Sequence, residues 1–204
     1  MVIAQTNPPN LTSDTTKTHL TADEYRAIEE TAQQRHEYCN GEIITMSGGS
    51  PAHSRIAVDV TTFLNLTLRD TNFQTYNGDL RIWIPSFNHG TYADVFVIDG
   101  EPEFNENRTD EILNPLLIVE VLSPSTEAYD RGEKFRKYRS LSTFREYLIV
   151  SQTEPYVEQY HNLNRDSNNR WEWQVYDTIE RSIILHSLNN LELPLSEIYR
   201  RINF

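Results

Sequence analysis

Two carboxylates with apolar neighbours are the first candidates for chemistry in this chain. In Thr91-Tyr-Ala-Asp-Val-Phe-Val-Ile98, a period of two puts Tyr92, Asp94, Phe96 and Ile98 on one strand face and Ala93, Val95 and Val97 on the other. In Pro115-Leu-Leu-Ile-Val-Glu-Val-Leu122, Glu120 shares a face with Ile118 and Leu122, and the opposite face is also apolar. A buried, unpaired carboxylate costs several kcal/mol, so such acids are normally paired, hydrogen-bonded or bound to metal. Two of them on neighbouring strands suit a cation held between them. Cys39 is the one cysteine, which excludes a multi-thiolate zinc site, and oxygen ligands of this kind favour Mg²⁺ or Mn²⁺. The structural alternative is that Asp94 and Glu120 lie near strand ends or pair with Arg81 or Arg145.

A second feature follows Glu120. Arg131, Lys134, Arg136, Lys137 and Arg139 face a single acid, Glu133, in a stretch with helical spacing. Asp130, Lys134, Lys137 and Tyr138 fall on one side of that helix. This run would supply local positive charge in a chain whose formal net charge is −12, an awkward balance for holding a polyanion. A solvated basic helix face is the commoner reason for such a run. His53 opens a helix and is read as a cap or packing residue rather than a ligand, and His36 is read in the same way. The sequence has neither a Gly-x-Ser-x-Gly elbow nor a Gly-x-x-x-x-Gly-Lys phosphate loop, which argues against a serine hydrolase or a nucleoside triphosphatase.

The elements that must position these residues are legible in outline. Residues 1–18 are rich in Thr, Asn and Pro and read as a mobile tail, with one domain over 19–204. Thr21 followed by Glu24 opens a helix over residues 21 to 34. His36 to Met46 reads as a hairpin turning at Asn40-Gly41. A helix then carries Ile56, Val60, Phe63, Leu64 and Leu68 inward. Strands are expected near 73–77, 79–84, 91–98 and 115–122, with a helix over 126–140. Further strands follow near 145–150, 155–161 and 171–177, with a turn at 164–169 and a short helix after Leu193. The fold class is therefore α/β, with an additional C-terminal β-hairpin. That hairpin, apolar and aromatic-rich around Trp171 and Trp173, would suit a homodimer. There is no apolar run long enough to span a membrane and no secretory leader pattern, so a cytoplasmic protein is expected.

The string Val119-Glu-Val-Leu-Ser-Pro-Ser-Thr-Glu-Ala-Tyr-Asp-Arg-Gly-Glu-Lys-Phe-Arg-Lys-Tyr138 closely resembles the signature of the Uma-two family, described as candidate restriction endonucleases. Thr21-Ala-Asp-Glu-Tyr25, His36-Glu-Tyr38, Gly41-Glu-Ile43, Ser50-Pro-Ala-His53, Asp79-Leu-Arg81 and Tyr92-Ala-Asp-Val95 match in the family's order. The resemblance covers roughly residues 20 to 160. It implies a restriction-endonuclease-like core of the PD-(D/E)XK superfamily, a mixed β-sheet flanked by helices, with Asp94 and Glu120, and the Val121 carbonyl, holding Mg²⁺ or Mn²⁺. Two departures stand out: the signature proline is Ala93, and the lysine expected two residues after the glutamate is Leu122. The resemblance supplies that lysine from the following helix as Lys134, with Lys137 as second choice, and offers Glu37 as an additional acid. The function implied is metal-dependent hydrolysis of phosphodiester bonds in nucleic acid, DNA first. The alternative is a nuclease-fold protein of weak or no activity that serves as a binding or interaction module.

Overall fold

Asn40 and Gly41 both adopt positive φ, 45° and 106°, as a tight hairpin turn requires, and Gly41 meets that demand without a Cβ penalty. The computed structural model describes residues 19–46, 48–162 and 170–204. The expected tail over 1–18 and turn over 164–169 lie outside the described residues. In chain order the first half contains α1 (Ala22–Glu29), β1 (His36–Cys39), β2 (Glu42–Thr45), α2 (Pro51–Leu68), β3 (Phe73–Asn77) and β4 (Arg81–Ile84). Then come β5 (His89–Thr91), β6 (Val95–Asp99), β7 (Glu111–Ile112) and β8 (Leu117–Val121). The helical stretch after β8 is α3 (Glu127–Tyr129), a π-helical turn (Asp130–Lys134) and α4 (Phe135–Tyr138). The chain closes with β9 (Glu146–Val150), β10 (Val157–Asn162), β11 (Trp171–Tyr176), β12 (Ser182–Leu185), β13 (Leu191–Pro194) and α5 (Leu195–Ile198).

The strands form a six-stranded sheet ordered β11-β10-β9-β8-β6-β3, a five-stranded sheet ordered β2-β1-β5-β4-β7, and the hairpin β12-β13. Both larger sheets are mixed, because β8 runs parallel to β9 and β4 parallel to β7. The six-stranded sheet is covered on both faces. On one, Ile56, Val60 and Leu64 of α2 pack with Val95, Val97, Leu117 and Val119 and with Ile183, Leu193 and Ile198 from the C-terminal elements. On the other, Phe96, Ile98, Ile118 and Leu122 meet Phe135 and Tyr138, and Ile82, Ile84 and Ile112 of the five-stranded sheet. Thr21 and Glu24 close a reciprocal capping box on α1, and Ser50 caps α2.

Several expectations change. The strand expected over 91–98 is two strands in different sheets, joined by a bend at residues 92–94. Ala93 packs with Phe96 and Ile98 rather than with Val95 and Val97, so the alternation does not pass through the bend. Asp94 therefore does not share a strand face with Phe96 and Ile98. A period of two cannot reveal a change of sheet. The first helix stops at Glu29. The aromatic hairpin around Trp171 extends the main sheet as β10 and β11, and the separate hairpin β12-β13 follows it. No helix among the described residues is long and apolar enough to cross a membrane.

Candidate active site

Glu120 is the fourth residue of β8 and points to the side of the sheet covered by α3, the π-helical turn and α4. It is 4% exposed. Its Oε1 accepts from the Tyr138 hydroxyl at 2.9 Å and lies 2.9 Å from Lys134 Nζ. Burial raises its carboxyl well above the usual carboxylate range; Lys134 opposes that, and Asp130 and Asp94 add to it.

Lys134 ends the π-helical turn. It is buried, with Nζ also 3.5 Å from Glu37 Oε1 and 3.6 Å from Asp130 Oδ1, and it donates to the Tyr92 carbonyl at 3.2 Å. Burial alone would depress its ammonium, but Glu120, Tyr138, Glu37 and Asp130 hold it well above the ordinary lysine range. Glu37 comes from β1 and accepts from the Thr91 and Tyr129 hydroxyls. Burial pushes Glu37 up, and the combined pull of Lys134, Thr91, His89 and Tyr129 takes it below its normal value.

Asp94 occupies the bend before β6, with its side chain 24% exposed. Its Oδ2 accepts from the Val121 N–H at 2.7 Å and lies 3.3 Å from His53 Nε2. The hydrogen bond to Asp94 raises the His53 imidazole above its usual value. Asp94, Glu120, Asp130, Glu37 and Lys134 all line one cavity of about 500 Å³, walled also by Tyr92, Ile44 and Met46. Two acids expected as ligands and the lysine expected to accompany them thus converge, from a bend, a strand and a π turn. Lys137 does not join them: its Nζ reaches Cys39 Sγ at 3.3 Å, the Tyr129 hydroxyl at 3.4 Å and Glu133 at 4.0 Å.

The donor set suits a hard divalent cation. Three carboxylates, Glu37, Glu120 and Asp130, share one ammonium while Asp94 lines the same cavity, and neither Asp94 Oδ1 nor Glu120 Oε2 has a hydrogen-bond partner among the described residues. No group of three His, Cys, Asp or Glu side chains forms a ready-made cage among the described residues. Mg²⁺ is commonly held by only one or two carboxylates, with water and substrate phosphate completing the shell, a role that Asp94 and Glu120 could fill.

The match of a family model described as "Putative restriction endonuclease" spans residues 22–196. The chain belongs to the Uma2 family. Two Synechocystis sp. proteins are similar to it: the uncharacterized protein sll1609 is 38% identical over 71% of this chain and 81% of its own length, and slr1290 is 37% identical over 91% and 94%. Among solved structures, one described as a "putative nuclease belonging to DUF820" from Anabaena variabilis superposes with a TM-score of 0.72. It is 17% identical and covers 90% of this chain and 99% of its own, a likeness of fold.

Within this Uma2 chain the basic run does not form an exposed anion-binding face. Arg131 pairs with Glu127 and Glu158, Arg136 with Glu133, and Lys134 and Lys137 are buried. Counting charge over nine residues omitted Glu127 just before them and Glu158 on β10. His36 contacts Glu29 at 2.6 Å. His53, read as a cap or packing residue, is neither: Ser50 is the cap, and the His53 ring addresses Asp94. From sequence Asp130 reads only as a helix-face residue beside Lys134. Its shared face with Lys134 was the available signal, whereas nothing local connected His53 to Asp94, 41 positions later.

Proposed function

We propose that this protein is a divalent-metal-dependent endonuclease that hydrolyses phosphodiester bonds of nucleic acid, with DNA as first substrate. The observation that carries the reading is the convergence of Asp94, Glu120 and Lys134 on one cavity, with Lys134 Nζ 2.9 Å from Glu120. Asp94 and Glu120 would hold Mg²⁺ or Mn²⁺, whose contribution there is Lewis-acid activation of water and neutralisation of charge building on the phosphate. Lys134, kept charged by its three acidic neighbours, orients the attacking water and a phosphate oxygen. Tyr138 fixes the Glu120 carboxylate, and Glu37 and Asp130 fix the lysine. Tyr92, Ile44 and Met46 wall the cavity with apolar surface, which lowers the local dielectric and strengthens these interactions. Lys137 acts at one remove, through Tyr129 on Glu37.

A second reading, a nuclease-fold binding module without catalysis, draws support from the pairing of the basic helix with acids, which leaves less charge for phosphate. The free thiol of Cys39 suits a reducing, cytoplasmic location. Strand β11 ends the six-stranded sheet with Trp173 60% exposed, and a homodimer would form through this edge; sedimentation as a monomer at micromolar concentration would remove that assembly. The functional test is cleavage of a panel of labelled DNA and RNA with Mg²⁺ or Mn²⁺, beside Asp94→Ala and Lys134→Ala proteins. Metal-dependent cutting that both substitutions abolish supports the nuclease. Binding without cutting under every condition favours the module.

A further inference from the structure

Asp94 lies in a bend rather than in a strand, so its carboxylate depends on side-chain and end-of-strand contacts for its orientation. Two groups meet the same oxygen: the Val121 N–H at 2.7 Å and His53 Nε2 at 3.3 Å, both on Oδ2. Since Oδ2 is an acceptor, the imidazole carries its donor proton on Nε2 when it bonds there. The other oxygen, Oδ1, is left without a partner among the described residues.

The imidazole is itself held by a stiff support. His53 is the third residue of the 18-residue helix α2, and its backbone N–H is bound by the Ser50 hydroxyl at 3.1 Å. Four residues of that helix, Ile56, Val60, Leu64 and Leu68, are anchored in the core. The chain also passes close over the ring. A Cβ at Gly49 would lie 2.7 Å from His53 Nδ1 and 3.0 Å from its Cγ, so any larger residue there would have to turn the ring. The space against the imidazole is thus kept by a glycine on one side and filled by Asp94 on the other. His53 lines the acid cavity and also a neighbouring polar cavity of about 470 Å³, so that with Asp94 it forms the wall between them.

From this geometry we infer that His53 is a positioning residue for the metal site: it occupies Oδ2 of Asp94 together with the Val121 amide and so presents Oδ1 to a divalent cation. This rests on the metal-dependent reading above. Hydrogen-bond partners of metal ligands commonly set affinity by about 10- to 100-fold.

The test is the dissociation constant for Mn²⁺, read from the electron paramagnetic resonance of the free ion, in wild-type, His53→Ala, His53→Gln, Gly49→Ala and Asp94→Asn proteins, with metal-free melting temperature measured alongside. The expected result is an affinity about 10- to 100-fold weaker in His53→Ala and weakened in Gly49→Ala, with His53→Gln, which keeps an N–H donor, within about threefold of wild type. Asp94→Asn should lose most binding. Wild-type affinity in His53→Ala or, should that protein not fold, in Gly49→Ala would overturn the role of His53 while leaving the metal site intact. Failure of the wild-type protein to take up Mn²⁺ would instead overturn the metal reading and this inference with it.

Discussion

Two regions of this molecule bury charge, and they do it in opposite ways. Beneath α1, Glu111 is fully buried and accepts two N–H bonds from Arg26 at 2.9 Å each, one from Arg81 at 2.8 Å and one from Asn105 at 2.7 Å. Arg108 completes the group by binding Asp110 at 2.6 and 2.7 Å. Arg26 and Arg81 also lie over the rings of Trp83 and Tyr25. Three guanidinium groups serve Glu111, Asp110 and, at the surface, Asp23, and little is left to bind. Around Lys134 the balance is reversed, because Glu37, Glu120 and Asp130 share one ammonium, and with Asp94, which meets His53, they border an open cavity. A buried ion cluster that satisfies itself is architecture. One with more acids than cations and with oxygens open to a cavity is where the divalent ion of the proposed reaction would sit.

The largest effects come from removing the charge that neutralises each cluster. Lys134→Met leaves Glu120 and its neighbours without their cation, and Glu111→Gln leaves Arg26 with only the exposed Asp23 and Arg81 with only Asp110 at 3.5 Å; each should cost about 3 to 5 kcal/mol in urea unfolding. Only the first should also abolish cleavage, by about a hundredfold or more, since the loss of several kcal/mol of charge stabilisation at the reacting phosphate corresponds to at least that. Equal loss of activity per folded molecule in Glu111→Gln would erase the distinction between the clusters.

A middle-sized effect concerns His89, which opens β5 opposite Cys39 of β1 and is fully buried. Burial pushes its imidazole down to about 4 from 6.5, the Glu37 carboxylate opposing and the Lys137 ammonium adding to the fall. The unfolded chain therefore takes a proton more readily than the folded one. The stability that neutral His89 contributes is complete above pH 6.5 and is lost as pH falls toward 4, by at most about 3 kcal/mol. His89→Gln should flatten that part of the pH–stability curve. An unchanged slope between pH 6.5 and 4 would contradict the assignment.

The smallest effect has the opposite sign. Asp94→Asn keeps an acceptor for the Val121 N–H and removes one of four crowded negative charges, so the metal-free protein should gain about 0.5 to 1 kcal/mol while its cleavage falls. A loss of metal-free stability would mean that the acids around Lys134 are already balanced.

Local features made part of this legible from sequence. The Asn40-Gly41 turn, the capping box of α1, the inner face of α2 and the apolar strand around Glu120 each depend on residues within one or two turns of each other, and each is found where its pattern places it. What escaped notice is long-range. The bend at residues 92–94 is decided by which sheet each flanking strand joins. Arg131 meets Glu158 across 27 positions, and Glu111 gathers Arg26 across 85. Spacing rules carry no information at those separations. The resemblance to the Uma-two signature filled part of that gap by directing attention to Lys134, which spacing along β8 alone would have missed because Leu122 stands where a lysine was expected. It offered no role for His53.

The contrast between the two clusters is tested most directly by the melting temperature in the presence of Mg²⁺ or Mn²⁺, compared among wild-type, Asp94→Asn and Glu111→Gln proteins. Ten millimolar ion acting on a site with a millimolar dissociation constant stabilises the native state by about 1.4 kcal/mol, or roughly 3 to 5 °C for a chain of this size. The account predicts that rise in wild type and in Glu111→Gln, measured from the latter's own lower baseline, and no rise in Asp94→Asn. No shift in the wild-type protein, or an equal shift in Asp94→Asn, would contradict it.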